Sequence, residues 1–198
     1  MTGSIASSGV DHEGNEIETQ ITVGSESTLE GEGEIAGTTR LEEGGRLRPT
    51  QGTDGRLTLQ TLEWETGTLG SFIEVSIHAA GSTGVTVMEQ LTFSGSARPT
   101  FDIRFDLPAP SLSVGETFLL LDWGATPAAI DDPNGFFAWS TDREGIDGFF
   151  TLDSESNQLA FTIAAIPEPS TVLLLGAALG WLGFRMLRGR RERDRATG

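Results

Sequence analysis

The sequence contains no cysteine, no lysine and no tyrosine, and it has only two histidines among 198 residues. Without cysteine the fold has no disulfides, and thiol nucleophiles and cysteine-ligated zinc are excluded. Few groups remain for acid–base or covalent catalysis, and we expect His12 and His78 to be solvated. G-x-S-x-G, phosphate-loop and calcium-loop patterns are also absent. These absences predict a protein that is not an enzyme and has no cofactor or metal site.

Positive charge is scarce except at the C-terminus. All 13 basic residues are arginine, and six of them lie in the last fourteen positions. Before Arg185 there are seven arginines against 27 aspartates and glutamates, a formal charge of −20. A body of this charge repels nucleic acid, so we expect no nucleic-acid partner. The apolar content of 37% suits one main domain.

The first ten residues, MTGSIASSGV, lack the basic start and the apolar run of a secretory signal peptide. We expect residues 1–16 to be a disordered or truncated start, with more of the protein upstream.

An aliphatic residue recurs every six positions from residue 17 onward: Ile17, Val23, Leu29, Ile35, Leu41 and Leu47. Because six is even, all of these side chains can face inward from β-strands, with nearby glycines supplying the bends. This pattern is typical of a solenoid, in which short strands stack and bury a continuous apolar row. The alternative is an open antiparallel sheet with glycine-rich turns.

After Leu47 the repeat loosens and apolar residues alternate with polar ones, as in Ile73–Ile77, Phe101–Leu107 and Leu159–Ile163. No helical period occurs before residue 170. The sequence therefore predicts an all-β domain over residues 17–165, in the form of a parallel β-helix (β-solenoid).

The body also resembles a known class of surface proteins. Gly31–Gly37 is a glycine-rich strand, Leu41–Pro49 contains a Gly-Gly-x-Leu-x-Pro turn, and Gly52–Leu59 has a Gly-x-x-Gly-x-Leu-x-Leu pattern. These segments are similar to the last rungs of autotransporter-type β-helix passengers. The resemblance implies a right-handed parallel β-helix and no particular activity.

Two groups of polar residues are candidates for chemistry. Asp102, Arg104 and Asp106 share one strand face and could form a sugar-binding or acidic site, although a solvated charged face is the preferred interpretation. A second group could bind Ca²⁺ or form an ordinary polar turn, and consists of Asp131, Asp132, Asn134 and Asp142. Aromatic residues that could stack on sugars, but more simply fill a core, are Trp123, Phe136, Phe137, Trp139, Phe149 and Phe150.

The C-terminal tail has three parts. Pro167, Glu168 and Pro169, within a linker of residues 166–171, resist helix and sheet and present an extended peptide. A short membrane helix is predicted over residues 172–187, and its apolar members are Val172, Leu173, Leu174, Leu175, Leu179, Trp181, Leu182 and Phe184. A basic stop follows, formed by Arg185, Arg188, Arg190 and Arg191. The basic tail, residues 188–198, is expected to stay cytoplasmic.

This order of parts resembles the PEP-CTERM sorting signal of exported bacterial proteins. The resemblance covers about residues 166–191 and implies that Pro167, Glu168 and Pro169 are recognised by an exosortase, which removes the tail. A buried core helix or a plain membrane anchor is the alternative. By this resemblance the chain passes through a single-pass inner-membrane intermediate, in contact with membrane lipid, and then reaches the cell surface or is secreted.

These observations predict a cell-envelope protein whose body is structural or adhesive, in a biofilm or matrix, with extracellular polysaccharide as a candidate partner. The alternatives are a carbohydrate- or ice-binding module, or the C-terminal fragment of a polysaccharide-acting β-helix enzyme. Against ice binding, Thr38, Thr39, Thr58 and Thr61 do not recur at a fixed spacing.

Overall fold

The computed structural model describes residues 8–10, 16–18, 20–50, 55–78, 81–106, 112–125 and 130–165, with side chains described from residue 20 onward. The chain divides into two units, Met1–Ile166 and Pro167–Gly198, and all described residues belong to the first. These residues are mostly β-strand, as the alternating sequence pattern predicts. None of the helices in the described ranges has the length and apolar character needed to cross a membrane.

In the described part of the chain most strands belong to two sheets. The seven-stranded sheet contains, in spatial order, β14 (Asp147–Asp153), β15 (Gln158–Ala165), β12 (Thr117–Ala125), β10 (Gly84–Gly95), β7 (Arg56–Thr66), β5 (Gly33–Leu41) and β3 (Gln20–Val23). The six-stranded sheet contains β13 (Ala138–Thr141), β11 (Thr100–Phe105), β8 (Phe72–His78), β6 (Arg46–Pro49) and β4 (Thr28–Gly31), with β9 (Gly81–Ser82) paired to β8.

Two smaller features complete the described secondary structure. Strands β1 (Ser8–Val10) and β2 (Glu16–Glu18) form an antiparallel pair. Strand β1 lies in the segment expected to be disordered or truncated, and its pairing with β2 gives its backbone groups partners there. A one-turn helix, α1 (Pro133–Phe136), was not expected from the sequence. It forms because Asp132 caps it and Pro133 provides a helical φ angle at its first position.

From β3 to β13 the chain alternates between the two sheets, apart from the short hairpin strand β9, and neighbouring strands along each sheet pair in parallel. At the end of the seven-stranded sheet, β12 pairs with β15 and β15 with β14, both antiparallel. The pairing is therefore parallel along most of both sheets, which differs from the open antiparallel alternative.

The six-residue spacing has a direct origin in the strand register. Leu29 is paired with Leu47, and Val23 with Leu41, so one passage through both sheets takes 18 residues, three times six. Val23, Ile35, Leu41 and Leu47 are buried as predicted, and Leu29 is half-buried against the core. The side chain of Ile17 lies outside the described part.

The repeat loosens after Leu47 because successive passages become longer. Leu47 pairs with Ile73, 26 positions later; Ile73 with Phe101, 28 positions later; and Phe101 with Trp139, 38 positions later. Inward side chains from both sheets nevertheless form one hydrophobic core. As the passages lengthen, stacked aliphatic residues give way to aromatic ones, which fill more volume per position.

Candidate functional site

The predicted sorting residues Pro167, Glu168 and Pro169 lie outside the described residues. The same is true of the predicted membrane helix over residues 172–187 and of the basic stop. The last described strand, β15, ends at Ala165, two positions before Pro167.

The outer face of the six-stranded sheet carries a connected set of charges, here named the charged row. Its members are Glu30, Arg46, Arg48, Glu74, Asp102 and Arg104. Strand pairing places Glu30 beside Arg48, and Glu74 beside Asp102. Three guanidinium groups balance three carboxylates, so the row adds no net charge to this face.

Glu74 is the centre of the charged row, with only 5% of its side chain exposed. Its Oε1 lies 2.8 Å from Nε of Arg48 and 2.9 Å from Nε of Arg104, and its Oε2 lies 3.5 Å from Nη1 of Arg46. Hydrogen bonding to Glu74 is the main cause of a raised pKa at Arg48. Burial of the carboxylate is offset because three opposite charges surround it.

The structure assigns Asp102 and Arg104 to this row instead of to a free acidic site. Oδ2 of Asp102 lies 3.1 Å from Nη1 of Arg46, and Oδ1 accepts a 3.2 Å hydrogen bond from Ser140. Asp106 is exposed beyond the end of β11, and its backbone N–H donates to the carbonyl of Ile77. The outward positions of β11 thus form the charged face that the alternation predicts.

Three of the four residues considered for Ca²⁺ binding, Asp132, Asn134 and Asp142, are engaged in local structure, whereas Asp131 is exposed. Oδ1 of Asp132 accepts the backbone N–H of Asn134 at 3.0 Å. The side chain of Asn134 binds both backbone groups of Phe150, at 2.7 and 3.0 Å. Within the described ranges, no group of three or more His, Asp or Glu residues is placed to hold a metal ion.

His78, the last residue of β8, differs from expectation because both of its ring nitrogens are shielded from solvent. His78 pairs antiparallel with Gly81 at the β8–β9 hairpin. Neither nitrogen has a hydrogen-bond partner among the described residues. His12 lies outside those residues.

The aromatic residues of the C-terminal third mainly fill the core. Phe137 and Phe150 are buried with their ring centroids 5.8 Å apart, and Phe101 lies 5.7 and 5.6 Å from them. Trp139 and Phe136 are partly buried against the same core, whereas Phe149 is 42% exposed. The interpretation of these residues as core or cap packing therefore agrees with the structure, with Phe149 as the exception.

A cavity of about 490 Å³ lies beside Trp123, at the end of β12. We name it the Trp123 cavity. Its other described walls come from residues 130–133, at the start of α1, and from the end of β14 with the turn that follows it. The apolar lining residues are Ile130, Pro133 and Leu152, and the polar ones are Asp131, Ser154 and Asn157.

The wall formed by the β14–β15 turn is held by Asp153. Its carboxylate accepts hydrogen bonds from the hydroxyl of Ser156 at 2.7 Å and from the backbone N–H of Glu155 at 3.0 Å. The Ser156 bond is the main cause of a lowered pKa at Asp153. At the end of the turn, Asn157 has a positive φ of 53°, and its side-chain N–H₂ donates to the carbonyl of Gly124.

Sequence reasoning identified Trp123 and Asp131 as candidates but missed Ser154 and Asn157. The run Asp153-Ser-Glu-Ser-Asn157 is turn chemistry between two predicted strands, which could have located the turn. No local signal places that turn against Trp123. The turn reaches Trp123 because β15 pairs with β12, and these two strands are more than 30 residues apart in the chain.

Comparison with known proteins identifies the tail. Residues 165–191 match the family model of the PEP-CTERM protein-sorting motif. The match confirms the predicted sorting signal and indicates an exported or cell-envelope protein. It also implies an exosortase as the processing partner. Comparison with curated proteins found no match. The resemblance of the body to autotransporter passengers therefore stays a prediction.

Proposed function

We propose, from the premise that residues 165–191 carry a protein-sorting signal, that this chain delivers a β-solenoid body to the cell surface for a structural or adhesive role. The observation that carries the proposal is the position of the matched motif. It begins at the last residue of β15, so an all-β unit is followed directly by the sorting signal.

The strand arrangement supports the solenoid. The chain passes alternately through two sheets, and each passage adds one parallel strand to each sheet. Inward residues at paired positions form a continuous row across the six-stranded sheet: Leu29, Leu47, Ile73, Phe101 and Trp139. Stacked strands of this kind give a regular, stable body without disulfides.

The tail supports delivery across a membrane. The apolar run of residues 172–184 would reach about 20 Å as a helix, against a hydrocarbon core of about 30 Å, which suits a temporary span. The arginines after it would stay on the cytoplasmic side, placing the acidic body outside. Exosortase would then act at Pro167, Glu168 and Pro169.

A non-catalytic role is supported by the use of the polar residues. Glu74 and Asp102 are held in the charged row, Asp132 caps a helix and Asn134 ties that helix to β14. These groups are engaged in folding contacts, which favours a stable scaffold over a reactive centre.

The test is the intact mass of the mature protein, expressed with an added signal peptide in a host that contains an exosortase. Loss of the mass C-terminal to the Pro167 region would support sorting and surface delivery. Retention of the whole tail in the membrane fraction would overturn the sorting step and leave a simple C-terminal anchor. Recovery of the processed body from the cell surface or the matrix is the second expected result.

A carbohydrate-binding role is the second candidate. The Trp123 cavity favours it, because polar and apolar groups converge there in a concave site.

A further inference from the structure

The Trp123 cavity has the dimensions of a small-molecule site. Its volume of about 490 Å³ lies within the range of roughly 300–1,000 Å³ that is usual for ligand sites. Ile130, Pro133 and Leu152 supply apolar surface, and Asp131, Ser154 and Asn157 supply polar groups. A sugar ring presents both kinds of surface, because its C–H groups are apolar and its hydroxyls donate and accept hydrogen bonds.

Trp123 forms one wall of the cavity. The residue lines the cavity and is only 6% exposed, and its indole Nε1 is buried without a hydrogen-bond partner among the described residues. A buried indole N–H usually has a partner, because leaving it unsatisfied is unfavourable. Nε1 itself is shielded from solvent, so a sugar hydroxyl in the cavity does not reach it. Trp123 therefore contributes ring surface to the cavity wall and no hydrogen bond to a ligand.

The polar walls are already fixed in position. The Trp123 backbone N–H donates to the carbonyl of Asn157 at 3.1 Å, and Asn157 bonds back to Gly124 at 3.2 Å. On the opposite side, Asn134 ties the segment after Asp131 to Phe150. Because these walls are already ordered, the entropic cost of ordering them on ligand binding is small.

The negative charge of the cavity favours neutral sugars over anionic ones. The cavity contains the exposed carboxylate of Asp131, and its described lining contains no arginine, lysine or histidine. Neighbouring Asp132 and Asp153 add negative charge. Uronic or sulfated sugars would be repelled, whereas the hydroxyls of a neutral sugar would donate to the Asp131 carboxylate in charge-assisted hydrogen bonds.

We propose that the Trp123 cavity binds one neutral sugar unit of a polysaccharide. Asp131 accepts hydrogen bonds from sugar hydroxyls, Ser154 contributes a further hydroxyl contact, and Trp123 forms part of the apolar wall. The proposal rests on the adhesive role above for its biological setting, but binding does not require processing of the tail.

Binding is measured on the full chain in a detergent without sugar headgroups, by ¹H–¹⁵N NMR of the tryptophan indole signals. The probes are soluble hexasaccharides of glucose, mannose, galactose and N-acetylglucosamine, with a hexa-uronate as the anionic comparison. Trp123→Phe assigns the Trp123 indole signal. We expect at least one neutral hexasaccharide to shift that signal in a saturable manner and the hexa-uronate to leave it unchanged.

Variants test whether the sugar binds in the cavity or elsewhere on the protein surface. Asp131→Asn should weaken binding about tenfold, because charge-assisted hydrogen bonds are stronger than neutral ones. Glu155→Gln is the matched control, since it removes a carboxylate from the same turn without altering the described lining. It should bind like the wild type.

Three results would overturn the proposal: no response to any neutral sugar, equal binding by Asp131→Asn, or preference for the hexa-uronate. None of these results depends on exosortase processing. Failure of the sugar site therefore leaves the intact-mass test of sorting unaffected, and failure of sorting leaves the binding measurement valid.

Discussion

The backbone N–H of Gly37 donates a 2.6 Å hydrogen bond to Oε1 of Gln60 on the neighbouring strand. The pairing register of β5 and β7 shifts between Ile35 and Thr38, so Gly37 lies in a bulge. A second shift occurs in β10 between Val87 and Gln90, and there Nε2 of Gln60 donates to Glu89 at 2.9 Å. One side chain thus links the irregular segments of two strands through the strand between them.

Gln60→Leu should destabilise the body by about 1–3 kcal/mol, because it leaves the Gly37 N–H without its acceptor in a partly buried position. The free energy of unfolding from urea titration is the measurement. Gln90→Leu, at an exposed position on β10, is the control and should change stability by about 0.5 kcal/mol or less. Equal losses in the two variants would contradict the role of Gln60 in the bulge.

Glu74→Gln should destabilise the body by about 3 kcal/mol, since it removes the carboxylate that neutralises Arg46, Arg48 and Arg104. The estimate is at the low end for buried ion pairs because these arginines are a third or more exposed and are screened by water. Chemical denaturation of both forms at low salt measures the difference.

Glu30→Gln is the matched control for Glu74. Glu30 is at the edge of the charged row, with 51% of its side chain exposed, and its loss should alter stability by less than about 1 kcal/mol. A Glu74 variant as stable as the Glu30 variant would show that the centre of the row is no more important than its edge.

Ile35→Asp should cost several kcal/mol, because it places an unpaired carboxylate in the apolar row. Thermal unfolding followed by circular dichroism is the measurement. Val114→Asp introduces the same side chain at a position that is 63% exposed, and it should melt close to the wild type. Native-like melting of Ile35→Asp would count against the inward position of this residue.

Ser156→Ala should raise the pKa of Asp153 toward its ordinary value, because the Ser156 hydroxyl is the main cause of the lowering. The carboxyl ¹³C chemical shift as a function of pH is the measurement. A lowered pKa in the folded state means that the carboxylate stabilises the turn above the unfolded-state pKa. That contribution disappears as the pH falls through the folded-state pKa. Ser154→Ala should leave the titration of Asp153 unchanged; a similar shift in both variants would contradict the assignment.

Glu168→Ala should alter or abolish removal of the tail, because Glu168 is the charged residue of the Pro-Glu-Pro segment within the matched sorting motif. Intact-mass analysis in the exosortase-containing host measures the processed fraction. Glu63→Ala removes a carboxylate from β7 in the body and should be processed like the wild type. Normal processing of Glu168→Ala would exclude a recognition role for this carboxylate.

Part of the fold could be predicted because its pattern is local. Alternation marks the strands of the body, and the recurrence of Val23, Ile35 and Leu41 marks residues that are buried. The sorting tail was also readable from sequence, because a Pro-Glu-Pro segment, an apolar run and an arginine-rich end depend on order along the chain and not on packing.

The anchoring of the one-turn helix and the walls of the Trp123 cavity could not be read in the same way. Each depends on which distant segments become neighbours. Asp132 and Pro133 look like turn residues in sequence, and the short helix that begins at Pro133 is held by Asn134 bonding to Phe150. Likewise, nothing near Trp123 in the chain indicates Asn157.

By itself, the sequence determined an all-β, acidic and disulfide-free body and a C-terminal sorting signal, because composition, period and motif order are properties of the linear chain. Only the tertiary structure decided the partners of the charges and the position of the cavity. Arg46, Glu74 and Asp102 come from three strands, and their contacts exist because parallel pairing aligns positions that are 26 and 28 residues apart. Those offsets are set by loop lengths and by burial of the shared core, which no local pattern specifies.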